Sequence, residues 1–151
     1  MTGRQIIPRR WLVIIGEPDS AQWTAVARLP RGSGVLLLQP LNAKGRRRLL
    51  QIVSARGLAS LMEQPRIAAR VHNQHELTSA LLRRPRLILI SPVYPTPSHP
   101  ERKPLPRMRA ATLAGLASRA ATALGGMNPQ RFAKIAPLGF IGWAGISAFR
   151  T

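Results

Sequence analysis

Five short, unbroken apolar runs constrain this chain more than any other feature. They occupy residues 10–15, 34–39, 86–91, 121–126 and 139–146. A strand with one wet face alternates apolar and polar side chains, whereas a strand covered on both faces reads as a continuous run. The runs therefore predict buried strands of a parallel sheet. Two weaker runs, 58–62 and 66–72, are further candidates.

Helical patterns fill the intervals. Asn42 is placed to cap a helix running to Arg56, with Leu49, Leu50, Ile52 and Val53 on its apolar side. Asn73 followed by Glu76 resembles a capping box, and Leu77, Ala80 and Leu81 follow at helical spacing. Residues 107–119 read as a small-residue helix that carries Met108, Ala111, Leu113, Leu116 and Ala117. Asn128 and Pro129 suit a cap and first helical position, with Phe132 and Ile135 facing the core. Strands alternating with helices predict an α/β fold around a parallel sheet.

One spacing breaks the pattern. Consecutive parallel strands need a crossover of a dozen or more residues. Only Glu63, Gln64 and Pro65 separate the runs 58–62 and 66–72. Either one of them is not a strand, or the repeat is interrupted there. The 151 residues suit one domain, 1–151. A complete eight-unit (β/α) barrel takes ~250 residues, so the expectation is a shortened or incomplete parallel (β/α) barrel of the TIM type with about six to seven strands.

Charge narrows the function. The chain carries 23 Lys+Arg against 5 Asp+Glu, a formal net charge of +18. Such a balance favours anionic partners such as phosphates or nucleic acid, although arginine richness in a chain with 14 prolines is also what compositional bias produces. The charge is spread evenly along the chain; the nearest approach to a run is Arg46-Arg47-Arg48. A basic nucleic-acid-binding protein is thus an alternative, weakened by one Tyr and three Phe, which make a poor stacking platform. With no Cys there is no disulfide, thiolate metal site or thiol nucleophile. Asp19 is the only Asp and no Gly-x-Ser-x-Gly elbow exists, which removes a Ser-His-Asp hydrolase. His72 and His75 stand three apart at a helix start, where a capped turn is a better reading than a metal pair lacking a third ligand. The N-terminus lacks a signal-like pattern and no apolar run approaches ~20 residues, so the expectation is a cytoplasmic protein with no membrane span.

The long proline-rich segment 92–106 directly follows the strongest strand. Loops at the carboxyl ends of parallel strands commonly carry function. Gly125-Gly126 lets the backbone approach a phosphate closely, and the helix start at Asn128-Pro129 adds a positive end beside it.

Segment 88–100, with Pro92-Val93-Tyr94-Pro95-Thr96-Pro97-Ser98-His99-Pro100, resembles the Pro-Val-Phe-x-Thr-x-(Thr/Ser)-(Lys/His)-Pro loop of the thiamine phosphate synthases and their TenI-like relatives. Ala123-Leu124-Gly125-Gly126-Met127-Asn128 resembles that family's seventh-strand Ala-Ile-Gly-Gly-Ile-Asn, and Ala144 to Ala148 its eighth-strand ending. Val71 to Leu77 is similar to its Ser-x-His-Ser-x-x-Glu-Leu turn. The likeness covers 71–149.

The resemblance implies a thiamine biosynthesis protein in which a transferase joins a pyrimidine pyrophosphate to a thiazole phosphate and releases pyrophosphate. A TenI-like thiazole tautomerase, or a binder of such phosphorylated precursors, is the alternative within it. It implies small phosphorylated substrates, with thiazole phosphate on Gly125, Gly126, Ile146 and Ser147 and pyrophosphate near Thr96, Ser98 and His99. Gln39 matches the family's second-strand Gln, and Lys44 and Arg46 supply charge nearby; Arg70 stands where the family has a Ser and is a further candidate for an anion. The resemblance also implies Mg²⁺, but the family's Asn-Asp pair and fourth-strand carboxylate have no counterpart, Glu63-Gln64 being the closest polar pair. The missing fourth strand coincides with the short spacing at 58–72, and two arguments thus point to one absent β–α unit. The chain ends four residues after Ser147, so the expectation is a C-terminal strand edge covered by a partner chain, such as a second copy in a homodimer, or left short.

Overall fold

In the computed structural model, which describes residues 7–97 and 99–146, all seven apolar runs are strands. They are β1 (Arg10–Ile14), β2 (Gly34–Leu37), β3 (Ala59–Met62), β4 (Ala68–Val71), β5 (Leu87–Ile90), β6 (Ala121–Leu124) and β7 (Gly142–Gly145). Five helices join them: α1 (Ser20–Ala27), α2 (Ala43–Arg56), α3 (Gln74–Leu81), α4 (Arg107–Ala117) and α5 (Pro129–Ile135). The strands form one parallel sheet in the order β3-β2-β1-β7-β6-β5-β4. This is a shortened TIM-type barrel, open where β3 and β4 would meet.

The short spacing at 63–65 is resolved by the sheet order. Both weak runs are strands, but they are the two ends of the sheet and share no ladder. A single antiparallel bridge, Gln64 to Ala68, turns the chain from one end to the other. The free strand edges therefore lie at β3 and β4. This corrects the expectation that the C-terminal strand forms an edge: β7 pairs with β6 on one side and β1 on the other.

Alternation within the strands sorts the core into layers. Trp11, Val13, Leu36, Ala68, Leu87, Leu89, Leu124 and Ala144 face the barrel interior as one cluster. Leu12, Ile14, Val35 and Leu37 face outward, under α1 and α2. Val71, Ile88, Ile90, Ala121 and Ala123 face outward, under α3, α4 and α5. Gly34 makes room for the Trp11 indole, because a Cβ there would lie 2.2 Å from Trp11 Cε3.

The helices differ from expectation in detail. The segment 20–27 is a helix that the apolar pattern alone does not announce; Asp19 and Gln22 form a full capping box at its start. At α3, Asn73 accepts from the Glu76 N–H as expected, but the Glu76 carboxylate accepts from the His72 N–H. Along α4 the buried residues are Ala110, Leu113, Ala114 and Ala117, whereas Met108 and Leu116 are exposed. Small side chains let α4 lie close to the sheet, and the larger ones turn to solvent. Leu50 in α2 is likewise exposed. No described helix is long and apolar enough to cross a membrane.

Candidate functional site

The carboxyl ends of the strands surround a cavity of about 220 Å³. Ligand pockets run to ~300–1,000 Å³, so this one suits a small molecule. Its floor is the top of the interior layer, Val13, Leu124 and Ala144. Ile15, Leu38, Met127 and Ile146 extend an apolar wall, and Ile15 is 48% exposed. The polar wall comes from Arg70, Ser91, Thr96, His99 and Arg102, with Gly125, Gly126 and Gly145 as backbone surface.

Two loops build most of the polar side. After β5, Val93 N–H donates to Leu124 O and Tyr94 N–H to Gly125 O, continuing the sheet ladder into the loop. The proline-rich segment then folds back on itself: His99 N–H reaches Thr96 O, Arg102 N–H reaches His99 O and Leu105 N–H returns to Pro92 O. The glycine loop after β6 packs against it at backbone distance. A Cβ on Gly126 would lie 2.2 Å from Pro95 O, and one on Gly125 2.9 Å from Pro92 Cα. Both glycines also have positive φ, +105° at Gly125 and +60° at Gly126, where a side chain is disfavoured. Arg131 of α5 clamps this junction. Its Nη1 donates to Gly126 O at 2.6 Å, and its guanidinium lies 4.8 Å from the Tyr94 ring centroid.

On the other side of the cavity stands Arg70. It shares the interior-facing register of β4 with Ala68, and its side chain is part of the cavity lining. Nε and Nη2 donate to Glu63 Oε2 at 3.1 and 2.8 Å. Glu63 follows β3, so this pair spans the break in the sheet.

Of the residues singled out from sequence, Arg70, Thr96, His99, Gly125, Gly126 and Ile146 line this one cavity. Ser98 and Ser147 lie outside the described residues. Gln39, Lys44 and Arg46 are exposed near the start of α2 and are not among the lining residues. There Glu17 accepts from the Asn42 N–H, so a carboxylate of the chain itself occupies that helix end. α5 has seven residues, and its Arg131 N–H is taken by Asn128. Arg102 is a lining residue that the sequence reading passed over, although it belongs to the proline-rich loop already marked as functional.

The donor set does not fit Mg²⁺. Among the described residues no carboxylate lines the cavity. Asp19 caps α1, Glu17 meets the start of α2, Glu63 holds Arg70, Glu76 meets His72 and Glu101 meets His99. Glu101 is held below the usual carboxylate range, first by its own backbone N–H and then by His99 and Arg102. Among the described residues no group of three or more His, Asp or Glu side chains is placed to hold a metal ion.

The family model described as thiamine monophosphate synthase matches residues 51–149. Two solved structures share the fold. Thiamine phosphate pyrophosphorylase from Pyrococcus furiosus is 14% identical with a TM-score of 0.69, covering 93% of this chain and 86% of that one. Thiamine phosphate pyrophosphorylase from Bacteroides thetaiotaomicron is 16% identical with a TM-score of 0.56, covering 91% and 83%. Among curated proteins none matches the sequence.

Proposed function

This chain belongs to the thiamine monophosphate synthase family, and on that premise we propose that its mouth cavity binds the phosphorylated thiazole of thiamine biosynthesis. One observation carries the reading. A single small cavity combines an apolar wall with a glycine loop and cationic or hydroxyl side chains. The thiazole ring lies against Ile15 and Leu38, whose burial it completes. Its phosphate faces the Gly125–Gly126 backbone, with Thr96 and His99 as hydrogen-bonding partners. Gly126 keeps this wall in place through its contact with Pro95 and its bond to Arg131.

The reaction that the resemblance implies is attack of the thiazole nitrogen on the pyrimidine methylene carbon, with loss of pyrophosphate. Support for a Mg²⁺-assisted form is lacking, because among the described residues no carboxylate lines the cavity. Binding of the phosphorylated thiazole is therefore the reading that the geometry supports best. Calorimetric titration of thiazole phosphate into the full chain tests it. Saturable binding at one site, weakened in Gly126→Ala, is expected. Titration without saturable heat would reject the reading.

Condensation remains the second reading because a cation, Arg70, stands in the same cavity. Incubation with both substrates, with and without Mg²⁺, tests it: thiamine phosphate above background supports it.

A further inference from the structure

We infer that the outward face of α2 docks on an anionic bilayer surface. This face shares no residue with the mouth cavity. Gly45 and Leu49 are the buried residues of α2. Successive helical residues are turned by ~100°. The side opposite Gly45 and Leu49 therefore carries Lys44, Arg47, Leu50, Gln51 and Ser54, all exposed, with exposed Arg46 and Arg48 at its flanks.

The face is cationic without compensation. α2 holds Lys44, Arg46, Arg47, Arg48 and Arg56 and no acidic residue. Glu17 meets the helix on its buried side, where a Cβ on Gly45 would lie 2.8 Å from Glu17 Oε2. The ion pairs among the described residues lie elsewhere, so no carboxylate there pairs with Lys44, Arg46, Arg47 or Arg48. The Arg48 guanidinium lies 4.5 Å from the Trp23 ring centroid, a contact that orders one of these charges at the surface.

Leu50 decides which anionic partner the face fits. It is 57% exposed and stands one turn beyond Arg46 and Arg47, on the same side of the helix. An apolar side chain among cations suits a bilayer interface. The leucine enters the boundary between headgroups and acyl chains, and the guanidiniums bond lipid phosphate oxygens around it. A nucleic acid uses the charge but gains nothing from Leu50. It also finds no indole to stack on, because Trp11, Trp143 and Trp23 are all buried. No described helix is able to cross a membrane, and this contact needs none.

Sedimentation of the full chain with lipid vesicles at ~0.15 M salt, roughly physiological ionic strength, tests the inference. One set of vesicles is phosphatidylcholine alone; the other contains about one third phosphatidylserine, which supplies the negative surface. Binding to the second set only is expected. Each cation near such a surface contributes about fivefold to partition, so Lys44→Gln with Arg47→Gln should weaken binding by about 25-fold. Leu50→Ser should weaken it by about fivefold, and Leu50→Trp should strengthen it, since indole favours the interface. Arg109→Gln with Arg119→Gln removes the same charge from the half of the barrel under α4 and should bind as the parent chain does. All the substituted side chains are exposed, and circular dichroism melts establish that each variant is folded. No binding, equal binding to both vesicle sets, a loss in the α4-side variant equal to that in the α2 variant, or binding unchanged in Leu50→Ser overturns the inference. So does displacement of the chain from vesicles by single-stranded RNA at equal phosphate concentration, which would assign the face to nucleic acid.

Discussion

Arg70 meets Glu63 at 2.8 Å across the one gap in the sheet, joining the strand that ends one side of the barrel to the loop that ends the other. The two side chains are 23% and 29% exposed. In a closed barrel a strand would stand between these positions. Here an ion pair and the Gln64–Ala68 bridge hold the seam.

Removing the seam contact should lower stability modestly. Half-exposed pairs contribute ~0.2–1 kcal/mol, so Glu63→Gln is expected to cost about 1 kcal/mol or less in urea denaturation. A double-mutant cycle with Arg70→Gln should return a coupling of about 0.5 kcal/mol. A coupling of zero would mean the pair does not bridge the seam.

The glycine loop predicts a contrast between two Gly→Ala variants. Gly126→Ala places a Cβ 2.2 Å from Pro95 O at a positive φ, and should cost about 2–4 kcal/mol by overpacking and backbone strain. Gly115, within α4, has nothing within 4 Å of its Cβ position. Gly115→Ala should stabilise by about 0.5–1 kcal/mol through helix propensity. Thermal melts of both variants decide it, and equal shifts would contradict the assigned backbone contact.

Trp11 and Gly34 form the corresponding pair inside the barrel. Trp11 is 1% exposed, and a Cβ on Gly34 would meet its ring at 2.2 Å. Gly34→Ala should destabilise by about 1–3 kcal/mol. Trp11→Leu, itself destabilising, should cancel most of the added cost when combined with it. Strict additivity would show that the two do not share one space.

The charge makes a prediction about nucleic acid. Non-specific binding to phosphates falls steeply as salt rises. With +18 spread along the chain and few aromatic residues to stack bases, retention of single-stranded RNA on filters should be lost near 0.15 M salt, roughly physiological ionic strength. Retention that survives there would restore a nucleic-acid role.

Much of this was legible because parallel strands covered on both faces leave unbroken apolar runs, and the seven runs are the seven strands. The glycine loop was legible too, since Gly125-Gly126 at a strand end has a backbone reason. Sheet order was not. That β7 closes onto β1 while β3 and β4 stay apart depends on long-range pairing, of which the three residues 63–65 record only the break. α1 escaped notice because it buries only Trp23 and Val26 and so lacks a clear stripe; the Asp19–Gln22 capping box was its one signal. The buried face of α4 was not legible either, because close helix–sheet packing favours Ala110 and Ala114 over Met108 and Leu116. Arg102 gives no local sign of facing a cavity; the backbone bonds that fold 96–105 put it there. Lys44 and Arg46 looked suited to an anion by charge alone, but Glu17 meets that helix start from the loop after β1.

The mouth cavity is proposed to take a phosphorylated heterocycle using this chain's own residues. The most direct measurement is calorimetric titration of thiazole phosphate into the full chain in the presence of EDTA. Saturable binding at one site is expected, lost or strongly weakened when Ile15, which is 48% exposed and lines the cavity, is replaced by Glu, which puts a carboxylate into the apolar wall. No saturable binding, or binding unchanged in a folded Ile15→Glu variant, would contradict it.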